Sequence, residues 1–232
     1  MKKIMSALTG LGLLALAPGA NAVVIMDSTF ANVDWTKTTL SISNATETAT
    51  QSAAGGNPGS FRTMSHNFGS GIASLFIFHE YIGTGGTYDP GTSGAIASID
   101  YSEDQKKLAG TGAVGAFVAI KQGGVIFKGP VLNFSNDTTW ITASSMGLTA
   151  TDFLDFTTST FNPDFSAAGA TISFGYGRAN DTNRISPTTI THGIDNWTFT
   201  INQITIPEPG TLALFCFGLA GLGFARHRKA AA

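Results

Sequence analysis

Two predicted loops carry side chains that could hold a sugar. The stretches "GTGGTYDPGTSG" (83–94) and "GRANDTNR" (177–184) combine an aromatic ring with amide, carboxylate and guanidinium groups. Small-ligand sites generally pair an apolar surface with a few fixed polar groups. The alternative is that both loops are ordinary solvated turns. The ligand-binding candidates are Tyr88, Asp89, Arg178, Asn180, Asp181 and Arg184.

Oxygen-bearing side chains near both ends of the central region could hold a structural calcium ion. Calcium takes several oxygen ligands from carboxylates, amides and backbone carbonyls. Asp27, Asn57 in the 55–57 turn, and Asp195 are the metal candidates. The alternative is that Asp27 and Asp195 only accept hydrogen bonds from backbone N–H groups at strand ends.

The motifs that usually indicate catalysis are incomplete. "GTGAVG" (110–115) has the glycine spacing of a nucleotide-binding turn, but strand-like residues follow where that turn needs a helix, so we interpret it as a plain turn. "HEYIG" (79–83) has glycine where a zinc-binding helix needs its second histidine. Glu103 and Asp104 adjoin two lysines and suggest a solvated turn. We assign no catalytic residue and expect a protein that is not an enzyme.

Strands must position these candidates, because apolar residues alternate with polar ones in "GAIASIDY", "ATISFGYGR" and "IDNWTFTINQI". "IASLFIFHEYI" is apolar on both faces, which is typical of a central strand. "AVGAFVAIKQGGVIFKG" predicts a hairpin that turns at 122–124. Many short strands separated by turn residues predict an all-β antiparallel sandwich of the jelly-roll type. We expect Trp35, Trp140 and Trp197 in its core.

The beginning of the chain has the pattern of a secretory signal peptide. Lys2 and Lys3 precede an apolar stretch, and "ANA" at 20–22 fits a cleavage site. We therefore expect residues 1–22 to be removed and the mature chain to begin at Val23.

The end of the chain has a second membrane-directed segment. Residues 211–225 carry no charge, and basic residues follow them directly. A relaxed spanning helix needs about 20 apolar residues, so this helix would be short, and its arginines would extend its reach by snorkelling. Basic residues beside an apolar helix favour the cytoplasmic side, which leaves the body outside the inner membrane.

Pro207-Glu208-Pro209, the apolar segment and the basic stop together resemble the PEP-CTERM sorting signal. The resemblance implies that an exosortase removes the tail in the inner membrane of a Gram-negative bacterium that makes extracellular polysaccharide. Anchoring in the inner membrane would be transient, and the product would be at the cell surface or extracellular. The alternative is a permanent anchor with a proline hinge. The sorting residues are Pro207, Glu208, Pro209, Arg226, Arg228 and Lys229.

The body is similar to the laminin domain IV and galactose-binding-like jelly-roll domains. The similarity lies in the order of "GGNPGSFR", "SIDYS", the "VAIKQGGVIFKG" hairpin, "TTWITAS", "LTATDF" and "GIDNWTFTI". It implies a sandwich fold and glycan or matrix binding. It also implies a calcium ion where the first and last strands meet, and no enzymatic activity.

Composition limits the partners of the body, which spans residues 23–206. Eight basic and 14 acidic residues give it a net charge of about −6. This charge argues against binding to nucleic acid and against docking on anionic lipid. The one cysteine, Cys216, lies in the tail, so packing must hold the body without a disulfide.

These observations predict three segments: a signal peptide (1–22), a sandwich domain (23–206) and a sorting signal (207–229). The predicted function is that of an exported, exosortase-processed surface or matrix protein that binds glycans and is not an enzyme. One alternative is a purely structural matrix or adhesion protein. A second alternative is a hydrolase or lyase that acts on polysaccharide.

Overall fold

Alternating side chains build strands along nearly all of the described chain, which comprises residues 22–112, 114–132 and 138–204 of the computed structural model. The predicted signal peptide 1–22, apart from its last residue Ala22, and the predicted membrane helix 211–225 lie outside these residues. None of the helices within them is long and apolar enough to cross a bilayer. The strands are β1 (Ala22–Asp27), β2 (Trp35–Ser43), β3 (Ala45–Gly56), β4 (Gly59–Phe68), β5 (Gly71–Tyr81), β6 (Thr87–Tyr88), β7 (Ile96–Ala109), β8 (Gly115–Gln122), β9 (Val125–Leu132), β10 (Ile141–Leu148), β11 (Leu154–Asp155), β12 (Ile172–Arg184) and β13 (Thr188–Gln203).

The strands form two antiparallel sheets that pack face to face. The first sheet has the order β10-β7-β13-β4-β3, and β1 also pairs with β13. The second sheet has the order β11-β9-β8-β12-β5-β2, and β6 also pairs with β12. One short helix, α1 (Pro90–Ser93), and the 3-10 turns Asn32–Asp34 and Ala150–Asp152 complete the described elements. The predicted all-β jelly-roll sandwich is confirmed.

The predicted faces of β12 and β13 and the hairpin are also confirmed, whereas in β7 Ile96 is buried and Ala97 exposed, the reverse of the predicted face. Strand β5 lies inside the second sheet, between β12 and β2, as its apolar residues on both faces indicate. Gly123 and Gly124 form the β8–β9 turn with φ of 58° and 84°, which glycine adopts without strain. The residues that share the buried inner faces include Ile172, Phe174 and Tyr176 of β12, and Trp197, Phe199 and Ile201 of β13.

Aromatic rings join the two sheets at the centre of the core. Trp35, on edge strand β2 of the second sheet, meets Trp197 of the first sheet edge to face, with ring centroids 5.0 Å apart. Its ring centroid is also 5.2 Å from that of Tyr176. Such pairs stabilise a core beyond the area they bury. Trp35 and Trp197 are therefore core residues, as predicted.

The interior also contains a layer of charged and polar side chains. Arg178 donates to Glu103 Oε1 at 2.9 Å between the two sheets, and both side chains are fully buried. His66, His79 and His192 are buried in the same layer. Burial lowers the pKa of His66 to about 4, because the hydrogen bond that the His66 ring donates to Asn180 Oδ1 compensates only in part, and the charge of Arg178 lowers the pKa further. Burial, with nearby cations, also holds the pKa of His79 and His192 well below the usual value.

These histidines should make the fold sensitive to acid. A histidine whose pKa is lower in the folded state favours folding above its unfolded pKa of about 6.5, and that stability is lost as the pH falls below it. For His66 alone, the loss of unfolding free energy between pH 7 and pH 5 should be roughly 2 kcal/mol. Urea unfolding at several pH values measures this loss.

Replacing His66 with glutamine should reduce the loss of unfolding free energy between pH 7 and pH 5 by roughly 2 kcal/mol. A free energy of unfolding that stays level from pH 7 to pH 5 in the parent protein would contradict the prediction.

Candidate functional site

Tyr88 and Asp89, the two candidates from the first predicted loop, make hydrogen bonds that stabilise the loop itself. Tyr88 is only 2% exposed, and its hydroxyl donates to the carbonyl of Gly94 at 2.7 Å. Its ring is therefore not an open platform for a sugar. Asp89 caps α1, because its Oδ1 accepts from the Gly91 N–H at 2.9 Å.

The other four candidates follow one another along β12 but face different surroundings. Arg178 and Asn180 point into the core, where Asn180 contacts the ring of His66. Asp181 lies at the surface, and Arg184 Nη2 donates to the Thr111 carbonyl at 2.7 Å. Tyr88 pairs with Ile172, nine residues before Asp181, which corresponds to about 30 Å of strand. The structure does not bring the six ligand-binding candidates to one surface.

Asp27 is saturated by hydrogen bonds inside the core. Its Oδ1 accepts from the N–H and hydroxyl of Thr29 and from the Phe30 N–H, at 2.8, 2.9 and 3.0 Å. Its Oδ2 accepts from the Trp35 indole at 2.7 Å. Asp27 thus fixes the ring that joins the two sheets, and it lies on the inner face of the first sheet.

Asn57 and Asp195 lie together on the opposite, outer face of the first sheet. The Asn57 backbone N–H donates to Asp195 Oδ2, and the Asn196 N–H donates to Asp195 Oδ1 at 2.8 Å. Asp104 Oδ2 accepts from the side-chain amides of Asn57 and Asn196, at 3.0 and 2.6 Å. Thr142 Oγ1 donates to Asp104 Oδ1 at 2.5 Å. We call Asn57, Asp104, Thr142, Asp195 and Asn196 the Asp104 cluster.

The cluster overturns the interpretation of Glu103 and Asp104 as a solvated turn. Both residues lie within strand β7, which continues to Ala109, and they are 0% and 5% exposed. Glu103 faces the core, and Asp104 faces the cluster. Burial and the neighbouring charge of Asp104 raise the pKa of Asp195, although the N–H groups of Asn57 and Asn196 oppose the shift.

The residues as arranged do not fit a calcium ion. Asp27 is separated from Asp195 by the sheet, and the Asp104 and Asp195 oxygens face N–H and O–H donors. Among the described residues, no group of three or more histidine, cysteine, aspartate or glutamate side chains could hold a metal.

Calcium should therefore leave the melting temperature unchanged. An ion that bound the folded state at 100 times its dissociation constant would add about 2.7 kcal/mol and raise the melting point by about 5–11 °C. Calorimetry with calcium, and separately with a chelator, measures this difference. A calcium-dependent rise that Asp195→Asn removes would show that the ion displaces the amide donors.

Trp140 was expected in the core, but it lies half-buried on the outer face of the first sheet. Its indole Nε1 donates to the carbonyl of Gly55 at 3.0 Å, and its ring meets Phe61 edge to face at 5.2 Å. The ammonium of Lys106 lies 5.6 Å from the ring centroid, within cation–π range. Three contacts therefore fix this ring at the surface.

A glycine makes room for the tryptophan. A Cβ at Gly193 would lie 2.8 Å from the Trp140 ring and 2.9 Å from the Phe61 ring, which is closer than carbon atoms approach. Trp140 directly precedes β10, whereas Gly193 lies on β13, and β7 separates these strands. The indole therefore extends across the surface of the sheet. We call Phe61, Lys106, Trp140 and Gly193 the Trp140 site.

Hydroxyl side chains cover the sheet surface beside the Trp140 site. Ser65 and Thr191 share a hydrogen bond of 3.1 Å across β4 and β13, and Ser52 and Thr63 share one of 2.6 Å across β3 and β4. The outer face of the second sheet differs, because its cluster of apolar rings contains Phe78 and Phe117, which are almost fully buried.

The sequence around Trp140 contains a signal for its outer-face position. In "TTWITASS", Trp140, Thr142 and Ser144 alternate with Ile141 and Ala143. Strand periodicity places the tryptophan on the face of the hydroxyl residues, opposite the apolar ones. No local pattern indicates Asn196, because its contact with Asp104 depends on pairing across the sheet.

Comparison with protein families identifies the tail. Residues 205–229 match the PEP-CTERM protein-sorting motif. The chain carries this motif, as the sequence predicted, and the match covers all six sorting residues from Pro207 to Lys229. No curated protein matches the sequence.

Comparison with solved structures finds other β-sandwich proteins at low identity. A family 11 carbohydrate-binding module from Clostridium thermocellum is 14% identical with a TM-score of 0.42, over 78% of this chain and 95% of that one. The family 11 module of the cellulase Lic26A-Cel5E from the same organism is 13% identical with a TM-score of 0.43, over 81% and 98%. The carbohydrate-binding module TmCBM27, described for specific mannan recognition, is 9% identical with a TM-score of 0.37, over 77% and 98%.

Proposed function

We propose that this chain is an exported glycan-binding protein of the cell surface or extracellular polysaccharide, and that the Trp140 site is its binding surface. The observation that carries the proposal is the fixed, partly exposed indole of Trp140 on a sheet face rich in hydroxyl groups. The C–H face of a sugar can pack on such a ring. Hydroxyl and ammonium groups beside the ring can bind the hydroxyls of the sugar.

The rigidity of the ring favours binding. Trp140 is held by Gly55, Phe61 and Gly193, so little side-chain entropy is lost when a ligand packs on it. The Lys106 ammonium lies 5.6 Å from the ring centroid and can donate to a sugar hydroxyl. The net charge of the body, about −6, disfavours strongly anionic polymers. We therefore propose a neutral polysaccharide as the ligand.

The carboxylates beside the ring do not support the alternative of a hydrolase or lyase. Glycosidases hold two carboxyl groups on opposite sides of the scissile bond. Asp104 and Asp195 instead sit directly opposite one another in the β7–β13 pairing, and both are buried and hydrogen-bonded. This pair therefore lacks the arrangement that a glycosidase needs.

A purely structural matrix role through strand-to-strand assembly has less support. Two backbone groups of edge strand β3 already bond to side chains. Lys37 Nζ donates to the Glu47 carbonyl at 2.8 Å, and the Gln51 N–H donates to Asn32 Oδ1 at 2.9 Å. Side chains that cover an edge in this way discourage pairing with another chain.

Affinity electrophoresis in gels that contain neutral polysaccharides tests the binding proposal. The parent protein should be retarded, and Trp140→Ala should weaken binding by about tenfold or more, because an aromatic anchor is lost. Phe161→Ala is the matched control, since Phe161 is an aromatic residue 64% exposed elsewhere on the surface. It should bind like the parent protein.

Two outcomes would contradict the proposal. Equal retardation of Trp140→Ala and the parent protein would remove the Trp140 site from binding. Absence of retardation by any neutral or acidic polysaccharide would favour the structural role.

We further propose that an exosortase removes the tail during export from a Gram-negative host, after transient anchoring in the inner membrane. The sorting motif at 205–229 supports this processing. Mass spectrometry of surface material should therefore find no peptides spanning 210–228. Replacing Glu208 should leave the full chain in the inner membrane, because the apolar segment and basic stop remain. Intact tail peptides in surface material would instead indicate a permanent anchor.

A further inference from the structure

We infer that Asp104 and Asp195 are positioning residues for Trp140. The two carboxylates are bonded both to the turn that follows Gly55, whose carbonyl accepts the Trp140 indole bond, and to the strand that follows Trp140. The consequence for glycan binding rests on the proposed function, but the positioning itself does not.

The first link runs through the turn between β3 and β4. The Trp140 indole donates to Gly55, two residues before Asn57. Three groups of Asn57 are bonded to the cluster: its N–H to Asp195, its side-chain amide to Asp104, and its carbonyl to the Asn196 amide at 2.6 Å. The carboxylates thus hold the turn that directly follows the strand end carrying Gly55, the acceptor of the indole.

The turn also packs tightly against Asp195. A Cβ at Gly56 would lie 2.5 Å from Asp195 Oδ2, so glycine is required for the backbone to approach the carboxylate this closely. Gly56 is adjacent to Gly55. A change in the position of the Asp195 carboxylate would therefore move the Gly55 carbonyl, which accepts the hydrogen bond of the Trp140 indole.

The second link runs through β10. Thr142, two residues after Trp140, donates to Asp104 Oδ1 at 2.5 Å. Asp104 is buried, and its other oxygen accepts from Asn57 and Asn196. One carboxylate is therefore bonded both to the strand that follows Trp140 and to the turn that follows Gly55, the acceptor of its indole. Hydrogen bonds to an ionised acceptor are about twice as strong as neutral ones, which suits a rigid support.

Hydrogen exchange of the Trp140 indole N–H, followed by NMR, tests the inference without any ligand. The resonance is assigned from its absence in Trp140→Phe. Asp104→Ala should speed exchange by about tenfold or more, because loss of one buried charged acceptor releases several donors. Thr142→Val, which removes one bond, should give a smaller increase.

Asp100→Ala is the matched control. Asp100 lies four residues away on the same strand and accepts bonds from Gly147 and Asn202 instead of the cluster. It should leave the Trp140 indole unchanged. The indoles of Trp35 and Trp197 report overall stability in each variant, so faster exchange at Trp140 alone identifies a local effect.

Unchanged Trp140 exchange in folded Asp104→Ala would overturn the inference. If Asp104→Ala does not fold, Thr142→Val and Asn57→Ala decide the question by the same measurement, and unchanged exchange in both overturns it. Polysaccharide affinity is then measured on the same variants and should fall with the loss of indole protection. If the parent protein binds no glycan, the proposed function fails, while the indole measurement still decides the positioning.

Discussion

The pairing of β13 with three other strands is the constraint on which the rest of the structure depends. Its first half pairs with β4 and its second half with β1, while β7 pairs along its other side. The register is fixed by burial, because a shift of one residue would move Trp197, Phe199 and Ile201 out of the core. The last strand thus holds the first, and the sheet closes only when residues far apart in the chain have met.

A bulge in β13 places two of its residues in the Asp104 cluster on the outer face of the sheet. The pairing with β7 shifts between Asp195 and Thr198, and Asn196 adopts a φ of 48°. Ile194 and Trp197 both remain buried, so the two residues between them face outward together. A regular strand would turn one of the two inward. The bulge therefore supplies both the carboxylate of Asp195 and the amide of Asn196 to the Asp104 cluster, and bulges commonly re-aim side chains in this way.

The faces of β12 and β13 and the hairpin turn could be predicted from the sequence, because they depend on local spacing. The Asp104 cluster could not, because it depends on pairing between distant strands. Alternation placed the faces of β12 and β13 correctly, and the Gly123-Gly124 pair indicated its turn, because each depends on neighbours a few residues apart. The Asp104 cluster joins residues from four separate stretches, so no local pattern could indicate it. The charged neighbours of Asp104 suggested solvent, yet a strand presents successive side chains to opposite faces. Glu103 bonds buried partners in the core, and Asp104 bonds Asn57, Thr142 and Asn196 on the outer face. The six loop candidates were chosen by chemical type, which does not reveal that Arg178 is buried against Glu103.

The proposed binding site and the sorting motif lie in separate parts of the chain. Strand β13 ends at Gln203, and the sorting motif begins at residue 205, so every described strand precedes the motif. Removal of the tail would take away no strand and no residue of the Trp140 site. Because β13 is central to the first sheet and is made last, that sheet and the Asp104 cluster can form only after nearly the whole body is available for pairing. The surface that we propose to bind glycans is therefore a product of complete folding, whereas the sorting motif is a short contiguous sequence that depends on no strand pairing.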